Sequence, residues 1–354
     1  MSEPILEVRN ISMEFPTRRR GTPRPGWALR AVNDVSFTLH EGETLGVVGE
    51  SGCGKSTTGY CIARAYQPVE GSVIYRREDG STVDLAELTD KQLKPFRKEV
   101  RMIFQDPYSS LNPRMTVFDI IAEPLRIQGM KNPVELERRV AELLVQCGMR
   151  PEFMRRYPHA FSGGQRQRLV IARALALDPR IVIADEAVSA LDVSVQAQIL
   201  NLLKKLQAER KLTYIFISHA LNVVEYMADR VAVMYLGRVV EIGATDKIYA
   251  RPRHPYTEAL LSAIPVADPT VAGTQIILEG DVPDPARPPS GCPFHPRCRY
   301  ARDICRTELP PLRSVDAVQV ACHLAEELQL AGVGSGTSTM PASPAETMTD
   351  RSLP

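Results

Sequence analysis

The sequence predicts an α/β fold with a mostly parallel sheet, an antiparallel β-rich lobe ahead of it and a small cysteine-bearing module behind it. Two continuous apolar runs, RIVIAD (180–185) and TYIFIS (213–218), have the character of strands covered on both faces. Between them Val195, Ile199, Leu202 and Leu206 fall at i, i+4, i+7 and i+11, the stripe of an amphipathic crossover helix. Strand, helix and strand in that order make a parallel sheet.

The other elements follow along the chain. ILEVRNISMEF (5–15) and AVNDVSFTL (31–39) read as strands of the β-rich lobe, separated by a basic, Pro/Gly-rich loop at 17–26. TLGVVG (44–49) reads as a buried strand, the residues from Gly54 to about Tyr66 suit a helix, and Gly71 to Tyr75 suit a further strand. From about Met115 to Arg156 the spacing is helical with charged faces, as in VELERRVAELLVQCG, which points to a helical insertion spanning about 110–175. VAVMYLGRVVEIG (231–243) reads as a hairpin around Leu236 and Gly237. Beyond Arg251 prolines become dense. The expected division is 1–250 for the main domain, 251–325 for the cysteine module and 326–354 for a Ser/Thr/Pro/Gly-rich disordered tail.

With 354 residues the chain accommodates one large domain plus an appendage. Its 43 basic and 42 acidic residues nearly cancel, so no global field points to nucleic acid or to an acidic membrane surface. No stretch approaches the roughly 18 consecutive apolar residues needed to cross a bilayer, and the start MSEPILEVRN lacks the pattern of a secretory signal. A cytoplasmic chain is expected, doing any membrane work through partners. Of seven cysteines, Cys292, Cys298, Cys305 and Cys322 crowd into the last quarter. Without a secretory signal, that cluster reads as a metal site before it reads as disulfides.

Gly49-Glu50-Ser51-Gly52-Cys53-Gly54-Lys55-Ser56 fits the phosphate-binding pattern G-x-x-x-x-G-K-[ST], with Thr57 next, and stands between a predicted strand and a predicted helix. Such a loop turns successive N–H groups toward phosphate oxygens at a helix N-terminus. Lys55 is expected to reach the β and γ phosphates of ATP and Ser56 to offer its hydroxyl to Mg²⁺. A chance glycine-rich turn is the bland alternative. The strand-to-helix context opposes it.

The second motif is Ser162-Gly163-Gly164-Gln165, preceded by Phe161 and followed by RQRLVIARALAL. Here the chain resembles the ABC ATPase family, whose signature reads LSGGQ, with Phe161 in place of the leucine. The resemblance implies a P-loop NTPase fold of the ABC type: a mostly parallel sheet, an antiparallel β lobe and a helical subdomain. It also implies that this helix start binds the γ-phosphate held by the other subunit of a head-to-tail dimer. A capped helix after a loop would account for Ser162 alone.

The remaining family motifs stand in the family's order. Ile181 to Glu186 matches Walker B, so that Asp185 would hold Mg²⁺ and Glu186 would be the base that polarises the attacking water. Two adjacent acids ending a buried strand have few structural reasons to be there, since burying unpaired carboxylates is costly. Ser189-Ala190-Leu191-Asp192 resembles the D-loop at the dimer interface. Gln105, in FQDP, matches the Q-loop that touches Mg²⁺ and water, and His219 matches the switch histidine. An aromatic residue stacked on adenine usually ends the family's first strand; Phe15 occupies that place and Trp27 is the rival. Two departures stand out: Ala187-Val188 follow the Walker B glutamate where Pro-Thr or Pro-Val is usual, and Ala220 follows His219 where Asp is usual.

RMIFQDPYSSLNPRMTVFDIIAEPLRI, VSALDVSVQAQILNLLKKLQ and HPYTEALLSAIP resemble the peptide/nickel importer ATPases, and their F-type member more than their D-type. Over about Pro4 to Leu324 the resemblance implies an ATP-hydrolysing subunit on the cytoplasmic face of the inner membrane. Its implied partners are a second ABC ATPase subunit, two transmembrane permeases and an external solute-binding protein, with no nucleic acid. In that family four C-terminal cysteines hold an iron–sulfur cluster, and the spacings C-x₅-C-x₆-C-x₁₆-C here are longer than those of a zinc ribbon. A [4Fe–4S] cluster is therefore expected, with Zn²⁺ and free buried thiols as alternatives. Soluble ABC proteins of DNA repair or translation form a runner-up class, but the span from Gly49 to Asp185 leaves no room for a long coiled coil and the chain holds one cassette. A regulatory module that binds ATP without hydrolysing it is opposed by the presence of Glu186 and His219.

Overall fold

The computed structural model describes residues 3–19, 22–264 and 275–333. β1 (Leu6–Arg19) and β2 (Thr22–Leu39) form a long antiparallel hairpin, and β3 (Thr44–Val48) runs into α1 (Lys55–Ile62). β4 (Glu70–Arg76) and β5 (Thr82–Asp84) complete a four-stranded sheet of order β2-β1-β4-β5. After β6 (Val100–Ile103) come the helices α2 (Val117–Ile127), α3 (Pro133–Gln146) and α4 (Gly163–Leu175). Then follow β7 (Ile181–Asp185), α5 (Val193–Arg210), β8 (Thr213–Ile217), α6 (Leu221–Met227), β9 (Arg230–Tyr235) and β10 (Arg238–Ala244). α7 (Pro255–Ser262) leads to the short pair β11 (Arg313–Val315) and β12 (Val318–Val320).

The larger sheet has the order β11-β12-β10-β9-β3-β8-β7-β6, parallel from β9 through β6 and antiparallel beyond. Every residue of β3, β7 and β8 is buried, as the apolar runs required. Alternate side chains divide between two cores. Ile181, Ile183, Ile215 and Ile217 pack with the β lobe, while Val182, Ala184, Tyr214 and Phe216 pack with the helical side. On α5 the expected Ile199, Leu202 and Leu206 are buried, Val195 only partly. Helices occupy the stretch read as an insertion. Asn132 caps α3 by accepting from Val134 N, and Pro133 takes the first turn, where no N–H is needed.

Four differences from the sequence reading stand out. The segment 17–26 is not simply a loop, because β1 and β2 continue pairing out to Arg19 and Thr22. Pro23 and Pro25 are tolerated there because β2 is an edge strand, with no partner strand beyond it among the described residues. β6 escaped notice because VRMI is short, lies at the sheet edge and exposes its middle residues in part. The cysteine-bearing segment is joined to the main body, since β12 pairs with β10 and so extends the large sheet. Of the tail expected to be disordered, residues 326–333 pack against the body: Leu328 and Leu330 are buried and Val333 N donates to Tyr249 O. The rest of that tail lies outside the described residues.

Candidate functional site

The C-terminal end of β3 delivers the chain into the phosphate loop, and α1 begins at Lys55. Gly54 has φ of 100°, and a Cβ on it would lie 2.0 Å from the carbonyl oxygen of Ala31. Only glycine fits. The loop is pinned from behind by Gly237 N, which donates to Cys53 O at 2.9 Å. Lys55 is buried, and its Nζ donates to Gly49 O at 2.8 Å and Glu50 O at 2.9 Å. The ammonium thus rests on carbonyls of the loop whose N–H groups would face phosphate.

Ser56 Oγ donates to Asp185 Oδ1 at 2.8 Å, joining α1 to the end of β7. Asp185 Oδ2 is buried and makes no hydrogen bond of regular geometry, although the Tyr60 hydroxyl is close enough to act on the carboxyl. Burial pushes the Asp185 carboxyl above its ordinary value; the Ser56 hydroxyl holds it back and Glu186 raises it further. An unpaired buried carboxylate oxygen beside a serine hydroxyl is the hard, oxygen-only donor set that suits Mg²⁺.

Glu186 has φ of 46°, an uncommon conformation for a residue with a side chain. Its N–H donates to Ile217 O on the neighbouring strand. The turn aims its carboxylate between two partners: Gln105 Nε2 donates to Oε2 at 2.8 Å, and His219 Nδ1 lies 3.1 Å from Oε1. Residues from the ends of three parallel strands therefore converge on one carboxylate, held so that it can accept a proton from water.

Ser162 caps α4 in a reciprocal box with Gln165, whose N–H and side-chain oxygen bond the Ser162 hydroxyl and N–H. Ser162 and Gln165 are exposed, and among the described residues no hydrogen bond links 162–165 to the phosphate loop. Asp192 is an exposed cap of α5, accepting from Val195 N at 2.9 Å. Phe15 meets Tyr66 edge-on at 5.5 Å between ring centres, and Tyr66 in turn meets Tyr60 at 5.3 Å. The Trp27 side chain lies outside the described part. Cys292, Cys298, Cys305 and Cys322 line one small cavity together with His254, His295 and His323. Burial pushes the Cys292 thiol up to about 11 and those of Cys298 and Cys322 up to about 12. Among the described residues, no three His, Cys, Asp or Glu side chains meet closely enough to hold a single metal ion.

Residues 32–189 match the family described as ABC transporter, and residues 240–305 match the oligopeptide/dipeptide transporter C-terminal region. The oligopeptide transport ATP-binding protein AppF of Bacillus subtilis is 49% identical over 91% of this chain and 98% of its own length. The chain belongs to this family of ABC transporter ATP-binding proteins. The di/tripeptide transport ATP-binding protein DppF of Pseudomonas aeruginosa is 47% identical over 92% of this chain and 99% of that protein. In three dimensions this ABC ATPase is similar to the ATP-binding cassette MJ0796, solved as a post-hydrolysis dimer bound to ADP and Pi. The TM-score is 0.59 at 28% identity, over 68% of this chain and 98% of that one. As a member of the family it is an ATP-binding, ATP-hydrolysing subunit with the mixed α/β cassette fold. Among the described residues no helix is long and apolar enough to cross a membrane.

Sequence reasoning missed the Tyr60 and Tyr66 rings beside Phe15, which only the fold brings together. It also missed Tyr256 and Arg297, which hold Glu50 across 206 and 247 residues of chain. No local pattern could have found either.

Proposed function

We propose that this ATPase powers the import of oligopeptides or dipeptides across the bacterial inner membrane, working at its cytoplasmic face. The observation that carries the catalytic half is the Glu186 carboxylate held between Gln105 and His219, beside the Ser56–Asp185 pair. In this reading residues 49–57 bind the ATP phosphates, Lys55 neutralises their charge, and Phe15 stacks on adenine. Ser56, Asp185 and Gln105 would hold Mg²⁺, which supplies charge neutralisation at the phosphates when bound. Glu186 takes the proton of the attacking water and His219 orients it. Residues 162–165 and Asp192 complete the site of a second ABC subunit, which explains a capped helix start, exposed at Ser162 and Gln165, that among the described residues makes no hydrogen bond to its own phosphate loop. The cargo half rests on the oligopeptide/dipeptide relatives.

The nucleotide-binding domain would span 1–250, with the helical subdomain at about 110–175 facing two permeases, and 251–325 would form the cysteine module. For the four thiols, which line one cavity, the reading is a [4Fe–4S] cluster over Zn²⁺, on the long spacings C-x₅-C-x₆-C-x₁₆-C and the resemblance. The test is reconstitution with the permeases in liposomes. ATP-dependent movement of peptide from the face served by the external binding protein to the face carrying the ATPase is expected. ATPase activity indifferent to permeases and loaded binding protein, or outward movement of cargo, would overturn it.

A further inference from the structure

Glu50, the second residue of the phosphate loop, is gripped at both ends from the C-terminal part of the chain. Its backbone N–H donates to Tyr256 Oη at 2.8 Å, at the start of α7. Its carboxylate takes both ends of the Arg297 guanidinium, Nη1 to Oε2 at 2.8 Å and Nη2 to Oε1 at 3.2 Å. Such a two-point contact fixes orientation as well as distance. The Arg297 side chain is 8% exposed and that of Glu50 26%, so the pair is largely screened from water. Phe294 packs against both Tyr235 and Tyr256 at ring-centre distances of 5.3 and 5.4 Å, clamping the segment that carries Arg297. Arg297 immediately precedes Cys298. One short segment therefore lines the thiol cavity and holds the phosphate loop.

The third point of contact gives the grip its consequence. The Glu50 carbonyl is one of the two oxygens on which the Lys55 ammonium rests. A shift of Glu50 moves the loop's N–H groups and the seat of Lys55 together. Nothing in phosphate binding requires a carboxylate at this position; in the structure its partner is a guanidinium from far along the chain.

We propose that Arg297 and Tyr256 are positioning residues for the phosphate loop, presetting it for nucleotide through Glu50. The inference rests on ATP occupying residues 49–57. Loosening the grip weakens the binding of nucleotide in proportion to the preorganisation lost and leaves the chemistry at Glu186 intact.

The experiment measures MgADP affinity of the full chain by calorimetry, and kcat and KM for ATP in the assembled transporter. Arg297→Met should weaken MgADP and raise KM roughly tenfold, the scale of one charge-assisted hydrogen bond, with kcat within about twofold. Arg297→Lys should recover part of the loss. Glu50→Gln should weaken binding similarly, and the double variant should be no worse than either single one. Tyr256→Phe removes only the acceptor oxygen and carries the test if Arg297→Met fails to fold. Unchanged MgADP affinity in the folded variants, a fall in kcat alone, or additive losses in the double variant would overturn the proposal. Lys55→Ala is the control: if it too binds MgADP normally, the ATP site itself has been misplaced, a different failure.

Discussion

Nδ1 of His219 lies 3.1 Å from Oε1 of Glu186, joining the ends of the neighbouring parallel strands β8 and β7. With Gln105 on the other oxygen, neither carboxylate oxygen of Glu186 is left to wander. The geometry holds the acceptor before substrate arrives, which is where electrostatic and positional catalysis gains most.

Glu186→Gln should therefore bind MgATP as the parent does and lose about 100- to 10,000-fold in turnover, the range general-base catalysis supplies. The amide keeps the size and the contact to one neighbour but cannot take a proton. Stalled, nucleotide-bound dimers should accumulate on size-exclusion chromatography. Hydrolysis at the parental rate would remove Glu186 from the mechanism.

Cys298→Ser tests the thiol cavity. Three thiols whose proton affinity burial raises, with the Arg299 charge only partly offsetting this at Cys298, are poorly suited to stand alone as thiolates. A bound metal group would supply the missing positive charge. Protein purified without oxygen should be brown and contain iron and acid-labile sulfide, and the variant should lose both. One equivalent of zinc without visible absorbance would keep the ligands and exclude the cluster.

What could be read from the sequence was local. β3, β7 and β8 announce themselves because strands buried on both faces must be apolar throughout, and the phosphate loop because its glycines meet a steric demand such as that at Gly54. β6 did not, being short and at an edge. The 17–26 segment misled because prolines that argue against a central strand are permitted at the outer edge. The grip on Glu50 was invisible, since Tyr256 and Arg297 are ordinary residues until the fold sets them beside the loop.

Glu241 supplies a pH prediction. It is fully buried on β10, and its carboxylate oxygens accept from Arg253 N at 2.7 Å and His254 N at 3.1 Å. Burial raises its carboxyl to about 7 from 4.5, even though these N–H groups and the Arg253 charge hold it back. A raised acid binds its proton more tightly when folded, so its contribution to stability is full below about pH 4.5 and is lost as pH rises through about 7. At about 1.4 kcal/mol per unit the swing is about 3 kcal/mol. Urea denaturation of the parent and of Glu241→Gln at pH 5 and pH 8 should show the parent losing stability relative to the variant by that order. A flat difference would mean the carboxyl is already ionised at pH 5.

The final prediction concerns Gly164, whose hypothetical Cβ would stand 2.3 Å from Val195 Cγ1. The conflict cannot be relieved by swinging the valine aside, because a β-branched side chain on a helix has one strongly preferred rotamer. Gly164→Ala must therefore push the first turn of α4 away from α5, at a cost of about 1–3 kcal/mol typical of overpacking. That turn carries Ser162 and its cap to Gln165, so the surface offered to the second subunit moves with it. Thermal stability should fall and ATP-dependent dimerisation should weaken, while MgADP binding by the isolated chain, which uses the other end of the molecule's own site, should stay as it was. Adding Val195→Ala makes room for the new methyl group and should restore both properties in the double variant. If stability returns and dimerisation does not, the added methyl group itself obstructs the surface offered to the second subunit; if Gly164→Ala changes neither, the close approach of α4 to α5 is not a constraint on this helix.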